Sequence, residues 1–172
     1  MILKAFKEKS NQKYVEALLS ARTNNVGTNK VVSIGVLLNA EEFDNQEAFQ
    51  KYFKALELHS PKHKILTYSQ DDSVVHSQWD TFYGPKDFGW KGKIKSLDLE
   101  TFIDTDFDVL ICYYKANTIE LNQVAVMSKA ELKVGLSNKD ERLYDLIIDV
   151  KPSQFEVFKT EFKKYLTILN KL

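Results

Sequence analysis

The chain of 172 residues has a single cysteine, Cys112, so an internal disulfide is excluded. The residues around it are apolar, which marks it as a small buried side chain rather than a nucleophile. An excess of either charge is also missing: 24 Lys and Arg balance 24 Asp and Glu, and the pI lies near 6.8. A net charge of zero provides no global attraction to nucleic acid or to an anionic membrane, and it weakens the colloidal repulsion that opposes self-association. No run approaches the ~20 apolar residues of a membrane span, and lysines interrupt the opening residues where a signal peptide would have its apolar core. The expectation is a cytoplasmic protein without nucleic-acid or membrane partners, with a homo-oligomer left open.

The familiar nucleotide and hydrolase signatures are absent as well. No G-x-G-x-x-G follows the first apolar strand, and neither a phosphate-binding G-x-x-x-x-G-K-[ST] nor a G-x-S-x-G occurs. His59, His63 and His76 lack the spacing and the cysteine companions of a zinc site. Neither a cofactor nor a metal is therefore expected.

What is present is a series of buried strands. Residues 108–114 are almost continuously apolar, the pattern of a strand covered on both faces, as in the centre of a parallel sheet. Residues 118–130 then read as a helix with Leu121, Val124, Ala125 and Met127 on a wide apolar face. Residues 132–136 and 145–149 read as two further strands. Strand, helix, strand is a crossover unit. Earlier in the chain, residues 30–38 and 64–68 read as strands flanking a helix marked by Phe49, Tyr52, Phe53 and Leu56, with Asp44 or Asn45 as its cap. Residues 3–21 read as one amphipathic helix or two short ones, broken near Ser10 and Asn11, and packed on the outside.

Residues 97–103 suggest a short helix. Phe155, Phe158, Phe162, Tyr165, Leu166 and Leu169 mark a terminal one after Pro152 and Ser153. Between positions 69 and 95 the signal is weaker: Val74 and Val75 suit a turn of helix, residues 81–83 an edge strand, and Gly84 with Pro85 a break. The fold class expected is α/β, one domain over residues 1–172. It has an open, mostly parallel Rossmann-like sheet of about five or six strands with helices on both faces.

Such sheets bind ligands beyond the carboxyl ends of their strands, near the point where strand order reverses. That rule selects three loops. In residues 39–44, Glu41, Glu42 and Asp44 suit a metal or a general base, or simply the start of a helix. In residues 113–118, Lys115, Asn117 and Thr118 beside a helix N-terminus suit a phosphate or carboxylate, or Asn117 or Thr118 is only a cap. In residues 137–142, Ser137 and Asn138 open either a ligand loop or a solvated turn.

Residues 79–95 interleave Trp79, Phe82, Tyr83, Phe88 and Trp90 with four lysines. Trp79, Phe88 and Trp90 are the candidates for a partner surface, and closure over a core is the other reading. Besides a structural or homo-oligomeric role with the aromatic segment as the interface, two functional expectations compete. One is a non-enzymatic module binding a protein partner or a small anionic ligand. The other is a minimal transferase-like or hydrolase-like enzyme with Asp44 as base and Lys115 and Asn117 as anion holders.

Residues 107–122, 130–137 and 88–92 together resemble an uncharacterised family of small proteins from Bacteroidota, which implies a bacterial cytoplasmic protein. More distantly, residues 107–135 are similar to the acceptor-side half of heptosyltransferase-like GT-B glycosyltransferases, where a strand opening with an aromatic residue and Asp leads through a helix to a Val-Gly strand. Those enzymes close two such domains around a nucleotide-sugar, and this chain has room for one. Its loop 39–44 lacks the glycine-containing turn of that family, and Asp44 alone stands for the catalytic carboxylate.

Overall fold

A computed structural model describes residues 1–24, 26–56, 58, 61–71, 81–137 and 139–172. Its elements are α1 (Ile2–Ala21), β1 (Ser33–Asn39), α2 (Gln46–Ala55), β2 (Lys62–Tyr68), β3 (Thr81–Tyr83), α3 (Leu97–Asp104), β4 (Val109–Tyr113), α4 (Ile119–Met127), β5 (Leu132–Gly135), β6 (Leu146–Ile147) and α5 (Phe155–Ile168). The strands form one six-stranded sheet in the order β3-β2-β1-β4-β5-β6, with every neighbouring pair parallel. This is the strand order of a Rossmann-like doubly wound sheet.

The continuous apolar runs become strands because both faces of the sheet are covered. In β4, Val109, Ile111 and Tyr113 face one layer, while Leu110 and Cys112 face the other. The first layer is α2 and α5, and the second is α1, α3 and α4. Asn45 caps α2, its Oδ1 accepting from Ala48 N at 3.0 Å, and Ser96 and Thr118 cap α3 and α4 with their hydroxyl oxygens.

Residues 2–21 form one helix, unbroken at Ser10 and Asn11. Asn11 is buried there because its side-chain amide is satisfied by backbone groups of the loop at 89–92. The first strand begins at Ser33, three residues later than its apolar run suggests. The Val31 N–H goes instead to Lys171 O at 2.9 Å, and that of Val32 to the Asp108 carboxylate at 2.9 Å. Helix α4 stops at Met127 without glycine or proline. The following N–H groups are claimed by tertiary partners: Lys129 N donates to Ile103 O and Glu131 N to Phe107 O. Residues 81–83 are the edge strand expected. The proposed turn at Val74 and Val75 lies outside the described residues, as do His59 and His76.

Gly135 of β5 marks a close approach across the second face. A Cβ there would come within 2.5 Å of the Tyr144 ring, which lies flat on the strand.

Candidate functional site

Reversal of strand order between β1 and β4 puts the crevice at the carboxyl ends of these two strands, with loops 40–45 and 114–118 as its walls. The crevice is occupied by a side chain of the protein itself. Glu42 Oε1 accepts from Lys115 N at 2.8 Å, and Oε2 accepts from Ala116 N at 3.1 Å and from Asn39 Nδ2 at 2.9 Å. The backbone donors ahead of α4 do hold an anion, and it is this carboxylate. Lys115 directs its Nζ to Asp149 at the far wall. Thr118 caps α4, and Asn117 Oδ1 accepts from Asn122 Nδ2 at 2.7 Å.

Asp44 is exposed ahead of α2, its backbone carbonyl accepting from Gln46 N at 3.1 Å. Among the described residues, it shares no hydrogen bond or ion pair with Lys115 or Asn117. Ser137 Oγ accepts from Lys139 N at 3.3 Å, so it shapes a turn, and Asn138 lies outside the described residues.

Beside this filled crevice, on the second face, the rim opens. A groove of about 380 Å³ runs between α1, the first turns of α4 and the loop after β5. Its walls carry Glu8, Gln12 and Glu16 from α1, Asn117 and Asn122 from the α4 side, and Lys139 and Asp140 opposite. Val15, Leu19 and Ile119 also line it. The volume falls within the range of small-ligand sites, and the lining is more polar than is usual for them.

Arg142 ties the loop wall to the helix wall. Its Nη1 donates to Glu16 Oε1 at 2.7 Å and its Nη2 to Asp140 Oδ2 at 2.8 Å. Hydrogen bonds from this guanidinium hold the carboxyls of Glu16 and Asp140 below their ordinary ranges, so both stay ionised at neutral pH. Glu120, in the first turn of α4, is shifted the other way, chiefly by burial.

Sequence reasoning placed Asn117, Thr118 and the loop 137–142 with Arg142 on this rim, but it left α1 on the outside and missed Glu16. The signal was a polar stripe, Glu8, Gln12 and Glu16, at intervals of four along one flank of α1.

The aromatic segment divides. Phe88, expected at a partner surface, is 1% exposed and packs on Tyr83 with ring centroids 6.0 Å apart, so it closes the core and offers nothing to a partner. Trp90 is 48% exposed. Trp79 lies outside the described residues. Among the described residues, no group of three His, Cys, Asp or Glu side chains is arranged to hold a metal ion, and no helix is long and apolar enough to cross a membrane.

Comparison with known families yields a match over residues 7–169, nearly the whole chain. The chain belongs to the family of unknown function DUF6913. No curated protein and no solved structure matches this DUF6913 chain. Membership in DUF6913 brings no activity with it, and no match carries the glycosyltransferase resemblance of residues 107–135 further.

Proposed function

We propose that the protein is a Rossmann-like binding module whose ligand is small, polar and anionic. The site is the groove between α1 and the carboxyl-end rim, with the anionic group set on Lys139 and Arg142. The observation that carries this reading is the split character of the rim. The switch-point crevice is filled by Glu42, while the groove next to it is open and lined by amides and charged groups. Arg142 is exposed and pairs bidentately with both Glu16 and Asp140. An incoming phosphate or carboxylate has to displace Glu16 and Asp140 against the negative charge of these walls, and the bidentate hold of the guanidinium, helped by Lys139, is what offsets that cost. Asn117 and Asn122 then supply amides for the polar remainder of the ligand.

A thermal-shift screen of nucleotides, sugar phosphates and acyl-carrier compounds tests this. A ligand at a hundredfold excess over its Kd adds about 2.7 kcal/mol, a rise in Tm of about 5–10 °C for a chain of this length. The rise is expected to vanish in Arg142→Ala. A panel in which nothing shifts the melting, or a shift that survives Arg142→Ala, overturns the reading.

A further inference from the structure

The overall charge balance conceals a segregation. Residues 1–14 carry Lys4, Lys7, Lys9 and Lys13 against Glu8 alone, and residues 84–95 carry Lys86, Lys91, Lys93 and Lys95 against Asp87 alone. The fold clamps these two segments together. Asn11 Nδ2 donates to Gly89 O at 2.9 Å, Asn11 Oδ1 accepts from Gly92 N at 3.0 Å, and Lys7 Nζ donates to Pro85 O at 3.4 Å. Gly92 has φ +76°, and a Cβ on it would come within 2.1 Å of the Tyr14 ring, so the clamp requires glycine at that point. These two segments together bring six excess positive charges, partly offset by Glu120 beside Lys4 and Lys7 and by Asp71 near Lys86.

The same region exposes its largest apolar side chains. Ile2 and Leu3 are each 74% exposed, Phe6 is 59% exposed, and Trp90 stands out from the clamped loop. At 100° per residue, Ile2, Leu3, Phe6, Lys9 and Lys13 fall within about 120° of the circumference of α1. The acidic flank of Glu8 and Glu16 lies on the other side, toward the groove.

We infer that this face docks on an anionic lipid surface, with Leu3, Phe6 and Trp90 entering the headgroup boundary and the lysines lying over the phosphates. Charge complementarity selects an anionic occupant. The shape selects a lipid one: Lys7 and Glu8 keep to the clamp and the groove, while Ile2, Leu3 and Phe6 stand out into solvent. A projection of separate apolar side chains ringed by long-stemmed cations suits a flat, deformable surface, where lysines keep their charge at the phosphates while their stems stay in apolar contact. Because no helix among the described residues is long and apolar enough to cross, the contact is in-plane. It uses the flank of α1 opposite the proposed ligand groove and stands independently of it.

Co-sedimentation of the full chain with vesicles of phosphatidylcholine, with or without roughly one third phosphatidylglycerol, tests this. A Trp79→Phe variant leaves Trp90 as the sole indole for fluorescence. The expected result is retention on the anionic vesicles only, a blue shift of Trp90 emission, and at least a ~10-fold loss of retention on raising NaCl from ~0.1 M to ~0.5 M. The Leu3→Ser, Phe6→Ser double variant is expected to weaken retention by at least ~10-fold with an unchanged melting temperature, since both side chains are already in solvent. Absence of retention, equal retention on neutral vesicles, or retention indifferent to the double variant overturns the inference. So does a dimer by light scattering that the double variant returns to monomer while vesicles retain neither, which gives the face to a second copy. Phe6-dependent binding of an acidic polypeptide without vesicle retention overturns it in favour of a protein partner.

Discussion

The two faces of the sheet are built from different materials. Both layers bury aromatic rings among aliphatic side chains, but under α2 and α5 the rings join in one cluster: Phe49 and Phe155 lie 4.9 Å apart between centroids, Tyr113 and Phe158 also 4.9 Å, and Phe158 stacks on Phe162 at 5.5 Å. The hydroxyl of Tyr113 leaves this layer to donate to Pro152 O at 2.8 Å. Under α1, α3 and α4 the layer contains buried Asn11, Gln123, Ser128 and Lys133, and the thiol of Cys112. Gln123 Nε2 donates to Gly92 O at 2.9 Å, and Lys133 Nζ donates to Val126 O at 3.2 Å, at the carbonyl end of α4. Aromatic rings fill volume without directional demands, whereas each buried amide or ammonium must find a specific partner. The first face, where Gln46 and Thr67 form a buried polar pair, is held mainly by its ring cluster, and the second, with more buried polar groups, fixes loops and helix flanks in the places from which the groove and the basic face are made.

This contrast is breakable by experiment. Phe158→Ala, in the centre of the aromatic layer, is expected to cost about 4 kcal/mol in urea unfolding, the largest single-residue loss on either face. Asp145→Ala is expected to cost about 3 kcal/mol. Its carboxylate, 3% exposed, accepts from Arg22 at 2.6 Å and from Lys133 N at 2.8 Å, so removing it leaves the Arg22 guanidinium with neutral acceptors only and takes the acceptor from Lys133 N. If the two changes prove equal in cost, the main part given to the ring cluster falls.

Lys133 sharpens the comparison in the opposite direction. Burial lowers its pKa from 10.5 to about 8, so between those values the unfolded chain binds more protons than the folded one and stability rises with pH. The burden is fully present below about pH 8. Lys133→Met is expected to add about 2 kcal/mol at neutral pH and to flatten the rise in alkali, as read from urea midpoints across that range. A midpoint that falls in the variant would assign Lys133 a net stabilising role as the cap of α4. Smallest of all is Tyr83→Phe: among the described residues the hydroxyl is buried without a partner, so its removal is expected to leave stability unchanged or raise it by at most about 1 kcal/mol.

The strands were legible because burial on both faces writes an uninterrupted apolar run, and α2 and α5 because Phe49, Tyr52, Phe53 and Phe158, Phe162, Leu166 recur at helical spacing. Strand order was not legible, since nothing local says which run neighbours which. The rim loops could be named from the general rule for such sheets, but not their contents. A carboxylate before a helix, such as Glu42, has the same signature whether it soothes a dipole or reaches across to Lys115 N. Phe88 and Trp90, two residues apart, read alike in sequence and face opposite ways, because only tertiary packing of the Phe88–Ile94 bridge decides which ring turns inward.

Cys112 sits in the middle of β4 with no exposure, and burial pushes its thiol up to about 12. A maleimide or iodoacetamide can reach it only when the central strand comes apart. The rate at which the native chain takes up such a reagent is therefore a clock for whole-sheet opening, read by mass and needing no spectroscopic label. The same inertness leaves a clean background, so that one new thiol introduced at Phe6 or Lys139 would report on the basic face or on the groove without interference from the native one.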